Sequence, residues 1–85
     1  MKRSEVMYSQ LDQLVRSLGF LYHASKKEPP GHIYQHPKTG AMVLLTPYRP
    51  SEKVFEYHLI TVRTELDHFG IADPTTFAAK LQKTG

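Results

Sequence analysis

Gly31-His32-Ile33-Tyr34-Gln35-His36-Pro37 is the stretch that decides the fold of this chain. Side chains alternate across an extended backbone, so a strand here puts His32, Tyr34 and His36 on one face. Two imidazoles flanking a phenol permit three kinds of chemistry: proton transfer near neutral pH, hydrogen bonding and stacking on a nucleotide, or metal ligation.

Upstream, Phe20 to Ala24 is an aromatic-rich first strand, and Ser25 to Pro30 is a polar connection. The Pro29-Pro30 pair cannot sit inside a ladder, because proline donates no hydrogen bond. Downstream, Pro37-Lys38-Thr39-Gly40 reads as a tight turn with Gly40 free to take a positive φ. Ala41 to Thr46 is the third strand, apolar on both sides in Met42, Val43, Leu44 and Leu45, so its outer face calls for a cover. Pro47 and Pro50 close it.

Further out the periodicity becomes helical. Met7, Leu11, Leu14, Val15 and Leu18 form one apolar stripe, predicting a helix from Ser4 to Leu18 with Ser4 as N-cap and Gly19 as left-handed C-cap. Phe55, Leu59, Val62, Leu66 and Phe69 predict a second helix that ends at Gly70, with His58 facing solvent and His68 near the helix C-terminus. Asp73-Pro74 restarts a helix, Asp as N-cap and Pro at the first helical position, packed through Phe77, Ala78 and Leu81. The order α-β-β-β-α(-α) gives an α+β fold: a three-stranded antiparallel sheet with helices packed on one face, residues 1–85 forming a single domain.

With 85 residues the hydrophobic core is small, so a protein partner or a homodimer would add burial. There is no cysteine, which excludes a disulfide framework and a thiolate zinc site and fits a cytoplasmic location. No apolar run approaches the ~20 residues of a membrane span. Met1-Lys2-Arg3-Ser4-Glu5 lacks the apolar stretch of a signal peptide, so neither secretion nor membrane attachment is expected. The formal charge of +3 permits an anionic partner. Lys26, Lys27, Lys38, Arg49 and Lys53 fall in or beside the histidine-bearing segment, whereas Glu5, Asp12, Glu65, Asp67 and Asp73 lie outside it.

These residues resemble the HicA-type toxins, small bacterial toxin–antitoxin ribonucleases with a double-stranded-RNA-binding-domain-like (dsRBD-like) fold. The likeness runs over most of the chain. It comprises Leu18-Gly19-Phe20 after the first helix, the His32-Ile33-Tyr34-Gln35-His36-Pro37 strand, Leu45-Thr46-Pro47 at the end of the third strand, and Val62-Arg63 through Phe69-Gly70-Ile71 with Phe77 and Leu81. The family carries a catalytic histidine entering the second strand. Counted back from Tyr34 that position falls on Gly31, and His32 follows one place later.

The resemblance implies an RNA-binding toxin that cleaves mRNA, needs no cofactor, and is neutralised by a HicB-type antitoxin. Cleavage would be attack of a ribose 2′-hydroxyl on the adjacent phosphate, with His32 as principal acid or base. His36 lies about 13 Å further along an ideal strand, too far to share a phosphate with His32. It is expected to help bind RNA, with Lys26, Lys27 and Lys38 as phosphate clamps and Tyr34 as a stacking or hydrogen-bonding surface. A non-catalytic module that binds nucleic acid or protein is the alternative. A metal site from His32 and His36, with His23, is disfavoured by the same spacing and by the lack of a carboxylate in the motif.

Overall fold

Backbone pairing, not helical periodicity, governs the N-terminus. The computed structural model describes residues 2–25 and 31–84. Strand β1 (Arg3–Met7) precedes helix α1 (Tyr8–Ser17), and β1 pairs antiparallel with β5 (Lys53–Phe55) through an irregular register. The helix expected from Ser4 therefore starts four residues later. Ser4 is no N-cap: its buried hydroxyl donates to the Val54 carbonyl at 2.8 Å, across the ribbon. Two cross-ribbon ion pairs, Arg3–Glu52 at 3.1 Å and Lys53–Glu5 at 3.0 Å, follow the same pairing. Pairing with a distant strand here overrides local helix preference.

Helix α1 begins without a side-chain cap at Met7. Its free amides are taken by the chain that leads into β5: Tyr8 N–H donates to the Glu52 carbonyl at 2.7 Å and Ser9 N–H to the Pro50 carbonyl at 3.0 Å. Gln10 Oε1 accepts the Met7 N–H at 2.9 Å. The other end is as expected. Gly19 has φ +98°, its N–H donates to the Arg16 carbonyl, and Phe20 N–H reaches back to Val15, the paired bonds of a Schellman ending.

Strands β2 (Leu21–Ser25), β3 (Gly31–Gln35) and β4 (Met42–Leu45) form a three-stranded antiparallel sheet in chain order. Tyr22 lies opposite Tyr34 and Tyr34 opposite Val43; His23 lies opposite Ile33 and Ile33 opposite Leu44. The tight turn between β3 and β4 closes with His36 N–H on the Ala41 carbonyl and Gly40 N–H on the His36 carbonyl, both 2.8 Å. Helix α2 (Glu56–His68) ends in a second Schellman pattern at Gly70, φ +70°. Helix α3 (Pro74–Thr84) is capped by Asp73, whose Oδ1 accepts the Thr76 N–H at 2.7 Å.

The result is a small α+β domain. Tyr34, Val43 and Leu45 on the sheet's inner face are buried with Leu11, Leu14 and Val15 of α1, Val62 and Leu66 of α2, and Phe77 of α3. The outer face leaves Leu21, Met42 and Leu44 exposed. Among the described residues nothing covers these three side chains, so the cover that this face calls for is not supplied by them. The stripe of α2 is rotated from the expected one: His58, Val62 and Leu66 are buried and Phe69 is exposed. No helix among the described residues is long and apolar enough to cross a membrane.

Candidate functional site

His32, Tyr34 and His36 share one face, as alternation requires, but that face is the inner one. Tyr34 is fully buried. Its hydroxyl donates to Asp12 Oδ1 at 2.5 Å and accepts from the Tyr8 hydroxyl. Asp12 is also held by Arg16 Nε at 2.9 Å, one helical turn on, so a directed chain runs Tyr8 to Tyr34 to Asp12, closed by Arg16. Burial pushes the Tyr8 phenol up to about 12. Burial, and then donation to the Asp12 carboxylate, pushes Tyr34 higher still, so both stay neutral donors at physiological pH. Tyr34 is fully buried with its hydroxyl taken by Tyr8 and Asp12, so in this fold it presents neither a ring face nor a free hydroxyl to RNA and serves as a core hydrogen bond.

His32 is half-buried and lies flat on Tyr8, ring centroids 4.6 Å apart. Nε2 meets the Tyr48 carbonyl at 3.1 Å and Nδ1 meets the Tyr22 hydroxyl at 2.7 Å. A carbonyl only accepts, so Nε2 carries the proton and Nδ1 accepts from Tyr22. The guanidinium of Arg16 lies 4.8 Å from the centre of the Tyr22 ring.

His36 is buried beneath the end of α1. Nε2 donates to the Leu18 carbonyl at 3.1 Å and Nδ1 accepts from Thr39 Oγ1 at 2.9 Å, while Thr39 in turn accepts the Ala41 N–H. The ring packs on Phe20. This histidine ties helix end to turn, and its expected contact with RNA is corrected to that structural role. Lys38 is exposed at the turn. Lys26 and Lys27 lie outside the described residues.

Several groups that shape the site escaped sequence reasoning. Tyr8 is one; once the helix is read from position 8, Tyr8, Leu11 and Val15 repeat at helical spacing. Tyr22 was legible only through its cross-strand pairing with Tyr34. Tyr48, behind Pro47, carries no periodic signal, yet its ring stacks on Tyr8 and its hydroxyl reaches His58 Nδ1 at 2.5 Å. His58, expected in solvent, is buried, and burial lowers its affinity for a second proton.

Among the described residues no group of three or more histidines and carboxylates is gathered as a metal site. His23 sits on the outer face, opposite Ile33, away from His32. Comparison with protein-family models, curated proteins and solved structures gives no match.

Proposed function

We propose that the chain is a HicA-like toxin domain that binds RNA in the cytoplasm, cleaves mRNA with a histidine as proton carrier, and is silenced by a HicB-type antitoxin. Helix α1 followed by the sheet β2-β3-β4 in chain order, one face turned to the helices, with α2 coming after the short strand β5, supports the dsRBD-like layout that this reading requires. The observation that carries the catalytic part is the lone pair of His32 Nδ1, half-buried and held 2.7 Å from the hydroxyl of Tyr22, whose ring lies under Arg16. A ribose 2′-hydroxyl that takes the place of the Tyr22 hydroxyl meets a base. Nδ1 takes the proton, the 2′-oxygen bonds to phosphorus to close a 2′,3′-cyclic phosphate, and the bond from phosphorus to the 5′-oxygen breaks as that oxygen takes a proton from water. Arg16 and Lys38 supply positive charge for the phosphates.

A second reading, a non-catalytic HicA-like module for nucleic acid or protein, is favoured by one observation: both nitrogens of His32 already have protein partners. Inducible expression of the parent and of His32→Ala in a bacterial host, following message decay and growth, separates the two. Decay that depends on His32, with folding and RNA binding kept in the variant, supports the enzyme. Decay unchanged in the variant removes His32 from the chemistry. A parent that binds RNA or an antitoxin without degrading message leaves the module.

A further inference from the structure

The connection between β4 and β5, residues 46–52, is fastened by two histidines in opposite senses. His32 Nε2 donates to the backbone carbonyl of Tyr48 at 3.1 Å. His58 Nδ1 accepts from the side-chain hydroxyl of Tyr48 at 2.5 Å. The Tyr48 oxygen already accepts the Phe55 N–H at 2.9 Å, so the arrangement that also keeps its own hydrogen bonded turns that hydrogen toward the His58 ring. An imidazolium donates at both nitrogens. The His32 bond therefore survives a gain of charge, whereas the bond that His58 accepts is lost once Nδ1 is protonated, and a charged ring would have to donate to an oxygen that already accepts the Phe55 N–H.

The same connection holds other parts of the fold. The carbonyls of Pro50 and Glu52 receive the Ser9 and Tyr8 amides at the start of α1, a helix end to which Met7 contributes no side-chain cap. We propose that residues 46–52 form an acid-released latch: protonation of His58 breaks its bond with Tyr48, and the freed segment uncaps the N-terminus of α1.

Three further features bear on the proton. His58 lies in the first turn of α2, where the positive end of the helix dipole opposes an imidazolium. It is buried against Tyr48 from the connection, Phe55 from β5 and Tyr57 from its own helix, groups that bring no negative charge; β4, which also packs against α2, is uncharged. The nearest carboxylate in sequence, Glu56, is exposed and points to Lys2 at 3.9 Å. The connection's own carboxylate, Glu52, is held in its charged form by the Arg49 N–H and the Arg3 guanidinium, so it does not titrate in the same range.

The test uses the full chain labelled with ¹⁵N and with ring-¹³C histidine. Amide exchange, each rate divided by its unfolded-chain value at the same pH, is compared between about pH 7.5 and about pH 5. The expected result is at least about a tenfold loss of protection at Tyr8, Ser9 and Phe55, with the β3 and β4 amides unchanged and the midpoint equal to that of the His58 ring. His58→Gln, whose side-chain oxygen accepts from Tyr48 without titrating, abolishes the acid step. Tyr48→Phe shows low protection at both pH values. The proposal is overturned by protection that does not change with acid, by a midpoint that follows another histidine, or by an acid step that persists in His58→Gln. The parent's matched midpoints decide the matter even where a variant fails to fold.

Discussion

The Tyr34 hydroxyl accepts from Tyr8 and donates to Asp12, joining the centre of the sheet to the first two turns of α1 through one buried oxygen. Tyr34→Phe keeps the ring and removes that oxygen, leaving the Tyr8 hydroxyl without an acceptor in the core. The expected cost is about 1–3 kcal/mol, the range for stranding a buried polar group. Urea unfolding followed by far-UV circular dichroism reads it as a lower midpoint at unchanged slope. Adding Tyr8→Phe removes the stranded partner as well, so the double variant loses less than the sum of the two singles.

Gly31 is the position onto which the resemblance would carry a catalytic histidine, and a side chain there would crowd the neighbouring strand. A Cβ at Gly31 would stand 2.6 Å from the Leu45 carbonyl oxygen, on the neighbouring strand. Gly31→Ala and Gly31→His must therefore spread β3 from β4, and both are expected to destabilise by roughly 1–3 kcal/mol, as overpacking does. Gly40→Ala is the control: a Cβ there meets open space, so only the positive φ of +79° is penalised. A cost of about 1 kcal/mol is expected for that variant. Equal midpoints for Gly31→Ala and the parent would show that the strands can part freely at this point.

How much of this was legible depends on which residues carry local signals. Three glycines announced themselves: Gly19, Gly40 and Gly70 all adopt positive φ where a helix or turn had to end. Asp73-Pro74 likewise gave the cap of α3. The β1–β5 ribbon was hidden, because Arg3–Met7 pairs with residues about fifty places away and its short alternation is overlaid by the onset of the α1 stripe. Alternation correctly grouped His32, Tyr34 and His36 but could not say which side of the sheet the helices cover. That choice rests on packing: Val43 and Leu45 go under α2, and the register carries Tyr34 and Tyr22 with them. The hydroxyl partners of the histidines come from Tyr22, Thr39 and Tyr48, a polar network that hydropathy does not encode.

The period-two register makes opposite predictions for neighbouring residues of β4. Val43 is fully buried and Leu44 is mostly exposed. Val43→Ala opens a cavity beneath α2 and is expected to cost roughly 1–3 kcal/mol. Leu44→Lys lies on the outer face and is expected to stay within about 0.5 kcal/mol of the parent. A reversed order of the two unfolding midpoints would mean that β4 is slipped by one residue against β3.

His58 also sets the sign of the pH dependence. Its folded form resists protonation because the ring is buried, so its folded pKa lies below that of the unfolded chain. The unfolded state then binds the extra proton first. Stability from this group is fully present above the unfolded value of about 6.5 and is lost as pH falls through that value toward the folded one. Denaturant midpoints measured across this window should fall on acidification in the parent. Removing the titrating ring in His58→Gln should flatten that fall, whereas Asp73→Asn, which alters a carboxylate held low by the Thr76 N–H, should leave the slope between neutral pH and about pH 5.5 as it was. A parent that gains stability on acidification through this window would place the neutral imidazole in the unfolded chain and the charged one in the fold, the reverse of what the burial of His58 requires.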